Sequence, residues 1–100
     1  MTIKLKDVAV TYNLKNAEQI GSNQLFKGYS DIYKTDVYVS YNTIIAVRTN
    51  MQWYVTAERF SRTTTNHKSV IGNSHNCIVT VSKEFFDSTL QGLRVNNLLK

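Results

Sequence analysis

The clearest pattern lies in the middle of the chain, where apolar residues follow the period of a β-strand. In "DVYVSY" (36–41), valine alternates with tyrosine and serine, which is typical of a strand. The next apolar run, "IIAV" (44–47), is continuous, as expected for a strand covered on both faces. A tight turn at 49–52 then leads into "WYV" (53–55). These segments predict two or three antiparallel strands in a meander.

The N-terminal segments have weaker patterns. Residues 2–12 alternate with a phase slip between Asp7 and Val8, so they predict one bulged strand or two short strands. In residues 13–26, apolar side chains recur near helical spacing, which predicts a short helix ending at Gly21, with an irregular loop as the alternative. The side chains with this spacing are Leu14, Ala17 and Ile20.

The C-terminal half predicts a helix, a strand and a second helix. A Ser or Thr at the head of 63–73 would cap the first helix, which would end at Gly72. Residues 77–82 predict a strand with Cys77 as its first inward, buried residue.

The last predicted helix begins after Ser82, a favourable N-cap residue, and has Glu84 in its first turn. Gly92 marks an expected interruption. The expected apolar stripe comprises Phe85, Phe86, Thr89, Leu90 and Leu93. We therefore predict one domain over residues 1–100 of the α+β class: a small curled antiparallel sheet with one or two packed helices, including a C-terminal helix.

Composition supports a folded chain and raises the question of an acidic partner. Hydrophobic residues make up 42% and aromatic residues 11% of the sequence, which is not a disordered composition. The net charge of +5 comes from scattered basic residues, so it indicates either a solvated surface or a partner such as nucleic acid. The single cysteine cannot form an intramolecular disulfide, which suits a reducing cytoplasm. No apolar segment is long enough for a signal peptide or a membrane span.

Few residues suggest catalysis or metal binding. His67, His75 and Cys77 are the soft ligands in the sequence, and they lack the spacing of a zinc site. No nucleophile elbow, catalytic triad or paired carboxylates stand out. We expect neither an enzyme nor a cofactor, and a phosphodiesterase or nuclease that uses His67 as a base is kept as a third alternative.

The segment "FSRTTTNHK" (60–68) has two open interpretations. Its threonine hydroxyls could cap a helix while His67 packs on the sheet. Alternatively, the helix start could bind a phosphate. The candidate anion or nucleic-acid residues are Arg48, Arg59, Arg62, Thr63, Thr64, His67 and Lys68. Aromatic residues that could stack bases on an exposed sheet face are Tyr29, Tyr33, Tyr38, Tyr41, Trp53 and Tyr54.

Two motifs carry a family resemblance. "SYNTIIAVR" (40–48) and "FSRTTTNHK" (60–68) resemble a group of small, mostly uncharacterised proteins of bacteriophages and mobile elements. That group shares a Y-S-Y-x-T-x-I-A strand and a Y-S-x-T-T-x-x-H segment. The matching residues are Tyr41, Thr43, Ile45, Ala46, Ser61, Thr63, Thr64 and His67. The departures are Val39, Ile44 and Phe60, and the resemblance covers about a third of the chain.

The resemblance implies a phage-encoded protein in the cytoplasm of an infected bacterium. Together with the small size and the missing catalytic motifs, it suggests an accessory protein that binds and inhibits a host factor. An antiviral defence component such as a CRISPR nuclease is the first expected target. A nucleotide or nucleic-acid binder is the alternative, and the chain could act as a dimer.

Overall fold

The computed structural model describes residues 4–20, 24–49, 51–58, 62–75 and 77–98. Within these residues it has three helices and six strands. In chain order they are α1 (Leu5–Tyr12), β1 (Leu14–Gln19), β2 (Leu25–Ser30), β3 (Thr35–Ser40), β4 (Thr43–Thr49), β5 (Gln52–Thr56), α2 (Arg62–Ser74), β6 (Ile78–Val81) and α3 (Lys83–Leu98).

The described strands form one sheet in the order β1-β2-β3-β4-β5-β6. Neighbours from β1 to β5 are antiparallel, whereas β6 runs parallel to β5. A parallel neighbour requires a crossover rather than a hairpin, and α2 lies in that connection. The predicted α+β class and the central meander are confirmed. The sheet is mixed rather than wholly antiparallel, and the described helices number three.

Helices cover both faces of the sheet. On the first face, Val8 of α1 and Phe86 of α3 are buried with strand residues such as Phe26 and Val37. On the second face, Ile71 of α2 is buried against residues of the strands. These strand residues are Leu25, Tyr38, Ile45, Ala46, Trp53 and Val55. This two-sided cover explains the continuous apolar run at 44–47, whose four residues are all buried, as the sequence predicts.

The prediction of strands in residues 2–12 is wrong, because the described part of this segment forms helix α1. Leu5, Val8 and Tyr12 are spaced by three and four residues and pack together against the first face. Val10, which continued the strand-like alternation, is 82% exposed. Packing of one helical stripe therefore outweighs the weak helix propensity of the valines and threonine in this segment.

The prediction of a helix or loop after Asn13 is also wrong, because residues 14–19 form strand β1. Its pairing with β2 shifts between Lys15 and Glu18, and Asn16 has a positive φ of 55°. Such a bulge adds one residue to the strand. Leu14 and Ala17 are consequently both half-buried although they are three positions apart, which imitates helical spacing. The predicted stop at Gly21 lies outside the described residues.

Helix α2 confirms the predicted helix after the meander but has different ends. It begins at Arg62, so Thr63 to Thr65 lie within its first turns, and the N-cap position falls outside the described residues. It ends at Ser74, two residues beyond the predicted stop at Gly72.

The last helix is largely as predicted. The backbone N–H of Phe85 donates to Ser82 Oγ at 3.2 Å, which confirms the N-cap. Helix α3 continues through Gly92 to Leu98, so the expected interruption is absent. Phe86 is buried, but Phe85 of the predicted stripe is 52% exposed.

The prediction of a buried Cys77 is wrong. This residue precedes the first residue of β6 and is exposed. Because the strand begins only at Ile78, Cys77 is not held against a covered face, and Ile78 contributes to the second-face core instead.

Candidate nucleic-acid interface

His67 is a core residue of helix α2. Its side chain is fully buried, and its Nδ1 lies 2.8 Å from Ser40 Oγ in a hydrogen bond. Its Nε2 has no hydrogen-bond partner among the described residues. Burial lowers the pKa of His67 below its ordinary value of 6.5, because the charged form would lose hydration. A neutral buried imidazole joins α2 to the sheet, and it brings no positive charge to the surface at neutral pH.

Lys68 also holds α2 in place. Its Nζ donates to the backbone carbonyl of Glu58 at 2.5 Å, which connects the helix to the segment after β5. Burial lowers the pKa of Lys68, and the nearby Glu58 carboxylate partly opposes this shift.

The structure places the predicted anion-binding residues in separate parts of the molecule. Arg62, Thr63 and Thr64 contribute the first turn of α2, and Arg59 lies outside the described residues. Arg48 lies near the far end of β4, away from the β3–β4 turn where Ser40 meets His67. The Thr-rich segment and Arg48 therefore belong to different parts of the molecule.

Arg48 belongs instead to a row of side chains that crosses the second face of the sheet. Lys15 pairs with Tyr29, Tyr29 with Asp36, and Arg48 with Trp53. Arg48 Nη1 lies 4.0 Å from Asp36 Oδ2, which joins the two halves of the row. We call Lys15, Tyr29, Asp36, Arg48 and Trp53 the open row.

Most of the open row is accessible. The exposed fractions of the Lys15 and Arg48 side chains are 64% and 52%, and Tyr29 is 36% exposed. Lys27 lies beside the row, with its Nζ 5.6 Å from the centre of the Tyr38 ring. Lys15, Lys27 and Arg48 thus lie on the same sheet face as the exposed ring of Tyr29, and cations on a sheet face with an exposed aromatic ring suit phosphates and bases.

His75 closes one end of the open row. It follows α2, and its ring centre lies 4.8 Å from that of Trp53. Its Nε2 lies 2.8 Å from the Tyr38 hydroxyl in a hydrogen bond. Burial lowers the pKa of His75, and the charges of Lys27 and Arg48 lower it further. His75 is therefore neutral at pH 7 and presents an aromatic surface rather than a charge.

The sequence identified only part of this surface. Arg48, Tyr29 and Trp53 were candidates, but Lys15, Lys27, Asp36 and His75 were not. The available signal was the placement of polar side chains at alternating positions of β2 and β3. Interpreting it required the register of the strands, which residues distant in sequence determine.

Metal-binding and membrane-spanning features are not seen in the parts of the chain that the structure describes. Those residues contain no group of three histidine, cysteine, aspartate or glutamate side chains placed to hold a metal ion. None of the described helices has the length and apolar character required to cross a bilayer.

Comparison with known proteins gives a family without an assigned activity. No curated protein and no solved structure matches the chain. A family model matches residues 8–88, from α1 into α3. The chain therefore belongs to DUF8033, a family of unknown function.

Proposed function

We propose that this protein acts by binding, without catalysis, and that the open row binds single-stranded nucleic acid. The observation that carries the proposal is the exposure of Tyr29 among Lys15, Lys27 and Arg48 on one sheet face. Exposed aromatic rings on a sheet stack bases, and neighbouring cations neutralise phosphates. The basic net charge of +5 favours the approach of a polyanion.

The spacing of the strands suits a single strand that crosses the sheet. Neighbouring strands lie about 4.8 Å apart, so Tyr29 on β2 and Arg48 on β4 are separated by about two such steps. One base can stack on Tyr29 while the flanking phosphates reach Lys15 and Arg48. Reading a duplex would instead require a helix or a β-ribbon that enters a groove, and the open row is a sheet face.

The experiment compares two double variants with equal loss of charge. Lys27→Ala with Arg48→Ala removes two cations from the open row. Lys6→Ala with Arg94→Ala removes two exposed cations from α1 and α3, which cover the opposite face. Fluorescence anisotropy with a labelled oligothymidylate should show salt-sensitive binding by wild type and the control, and several-fold weaker binding by the open-row variant. Equal weakening in both variants would reject the open row as the site, and no wild-type binding at low salt would reject the function.

A second candidate function is inhibition of a host protein by a phage-encoded accessory protein in the host cytoplasm. The apolar surface beside edge strand β6 favours it: Val79 is 39% and Phe85 52% exposed. The ring of Phe85 lies 5.9 Å from that of Tyr54, so these side chains form a continuous patch. Exposed apolar groups beside an unpaired strand edge are typical of a protein-binding surface. Capture of a bacterial protein by the wild-type chain, lost on replacing Val79 and Phe85, is the measurement that tests it.

A further inference from the structure

The open row leads into a pocket with a distinct set of hydrogen-bonding groups. Its volume is about 230 Å³, enough for one nucleobase. Lys27, Asp36 and Arg48 contribute the charged groups, and Trp53 and His75 contribute rings. The remaining lining residues are Met51 and Cys77. A carboxylate is unexpected in a site that only attracts phosphates, because it repels them.

The charged groups of Asp36 and Arg48 are available to a ligand. They form an ion pair at 4.0 Å, which is longer than a hydrogen bond. No other side-chain bond of either residue occurs among the described residues, and both side chains are more than a third exposed. The pair therefore presents acceptors on Asp36 beside donors on Arg48.

We propose that this pocket selects guanine, an inference that rests on nucleic-acid binding by the open row. Guanine presents two adjacent acceptors, O6 and N7, which a guanidinium recognises with two hydrogen bonds. It also presents the N1–H and N2–H donors beside O6, and a carboxylate accepts from both. Asp36 and Arg48 thus match neighbouring parts of one base edge.

The same pair disfavours adenine. In the equivalent position adenine directs its N6 amino donors towards Arg48 and its N1 acceptor towards Asp36. Donor meets donor and acceptor meets acceptor, so bound adenine would leave polar groups without partners. Uracil, thymine and cytosine offer fewer complementary groups and less ring surface, so guanine satisfies the pair most completely.

Apolar groups beside the pair provide a surface for the base. The tilted rings of Trp53 and His75 form one wall, with an angle of 35° between them. Met51, at the turn before β5, is 84% exposed beside the pocket. A thioether side chain has rotatable bonds that let it cover an irregular ligand.

The test uses short oligothymidylates with one central guanine or adenine. Trp53 is the chain's single tryptophan, so quenching of its fluorescence reports occupation of this pocket. We expect wild type to bind the guanine oligonucleotide about tenfold more tightly, within the discrimination of one bidentate pair. Asp36→Asn, whose amide both donates and accepts, should retain binding and reduce the preference, because the amide no longer favours the guanine N1–H and N2–H donors over the adenine N1 acceptor. Asp87→Asn on α3 makes the same change on the opposite face and should keep the preference.

The outcomes separate this inference from the proposed function. Equal wild-type affinity for the two oligonucleotides, with binding still several-fold weaker in Lys27→Ala/Arg48→Ala, would overturn guanine selection and retain nucleic-acid binding. An undiminished preference in Asp36→Asn would also overturn it. Binding of neither oligonucleotide at low salt would overturn both.

Discussion

His67 makes folding sensitive to mild acid. The residue is fully buried with one ring nitrogen unpartnered among the described residues, and burial lowers its pKa below 6.5. Below pH 6.5 the unfolded chain therefore binds more protons than the folded chain. The free energy of unfolding should fall as pH falls through this range, by up to about 1.4 kcal/mol per pH unit for each such histidine. Urea unfolding at several pH values between 7.5 and 5 measures the slope.

The two histidines can be separated by variants. His75 also has a lowered pKa and adds to the same slope. His67→Asn should be less stable at pH 7.5, because a buried ring is lost, but its stability should depend less on pH. His75→Asn is the matched control and should retain the contribution of His67. An unchanged slope in His67→Asn would show that His67 does not cause the acid sensitivity.

Residue-level prediction from sequence succeeded where the cause was local. Ser82 was identifiable as an N-cap because its hydrogen-bond partner is three residues away. The pairing of His67 with Ser40 joins residues 27 apart, so no local pattern reveals it. The exposure of Cys77 likewise depends on where β6 begins, and the alternation of apolar residues there does not fix that boundary.

At the scale of secondary structure, Gly92 of helix α3 gives a prediction about stability. The helix passes through Gly92, where an added Cβ would meet nothing within 4 Å. Gly92→Ala should therefore raise the free energy of unfolding by about 0.5–1 kcal/mol, because alanine loses less conformational entropy in a helix. Thermal and urea unfolding measure the change.

Gly28 in β2 is the matched control with the opposite sign. An added Cβ there would lie 3.1 Å from Leu14 Cβ and 3.2 Å from Ala17 Cα, which forces β1 to move. Gly28→Ala should lower the free energy of unfolding. Stabilisation by this substitution would contradict the close approach of β1 to β2.

Elements were predictable where the periodic signal was continuous. The strands β3 to β5 and the first turns of helix α3 carry clear periodic patterns, and the structure has these elements where the patterns predict them. In β1 the bulge places Leu14 and Ala17 three residues apart in sequence yet both against the core. In α1 the packed stripe of Leu5, Val8 and Tyr12 was hidden by apolar residues such as Val10, which faces solvent. Both errors arose because the choice between helix and strand depends on distant packing.

At the scale of the whole molecule, the two proposed partners would contact different surfaces. The open row brings together residues of β1 to β5 on the second face, whereas Val79 and Phe85 lie beside β6 at the edge. Only the register of several strands assembles the open row, which explains why the sequence revealed Arg48, Tyr29 and Trp53 as candidates but not Lys15 and Asp36 beside them. The two proposed sites do not overlap, so the two proposals are compatible with each other.

The edge surface is tested by substitutions that remove apolar area without altering charge. In β6, hydrogen bonds from Trp53 N–H to Cys77 O and from Ala57 N–H to Val81 O direct these carbonyls towards β5. By strand alternation, the N–H and C=O groups of Ile78 and Thr80 point away, where a partner strand can pair with them. Val79→Ser with Phe85→Ser removes the apolar side chains beside this strand edge. The double variant should therefore not capture a bacterial protein from a host lysate. Val10→Ser removes an exposed valine from α1 and should leave capture unchanged.

Light scattering of the purified protein tests whether a second copy of the chain, rather than a host protein, binds at the β6 edge. If β6 pairs with a second copy, the wild-type protein is a dimer and the double serine variant is a monomer. In that case no host protein is captured in a stoichiometric amount. If it binds a host protein, wild type is a monomer alone, and the captured protein remains bound when nucleic acid is digested. That last result would also show that the edge surface acts independently of the open row. Capture that survives both serine substitutions would reject the edge as the protein-binding surface.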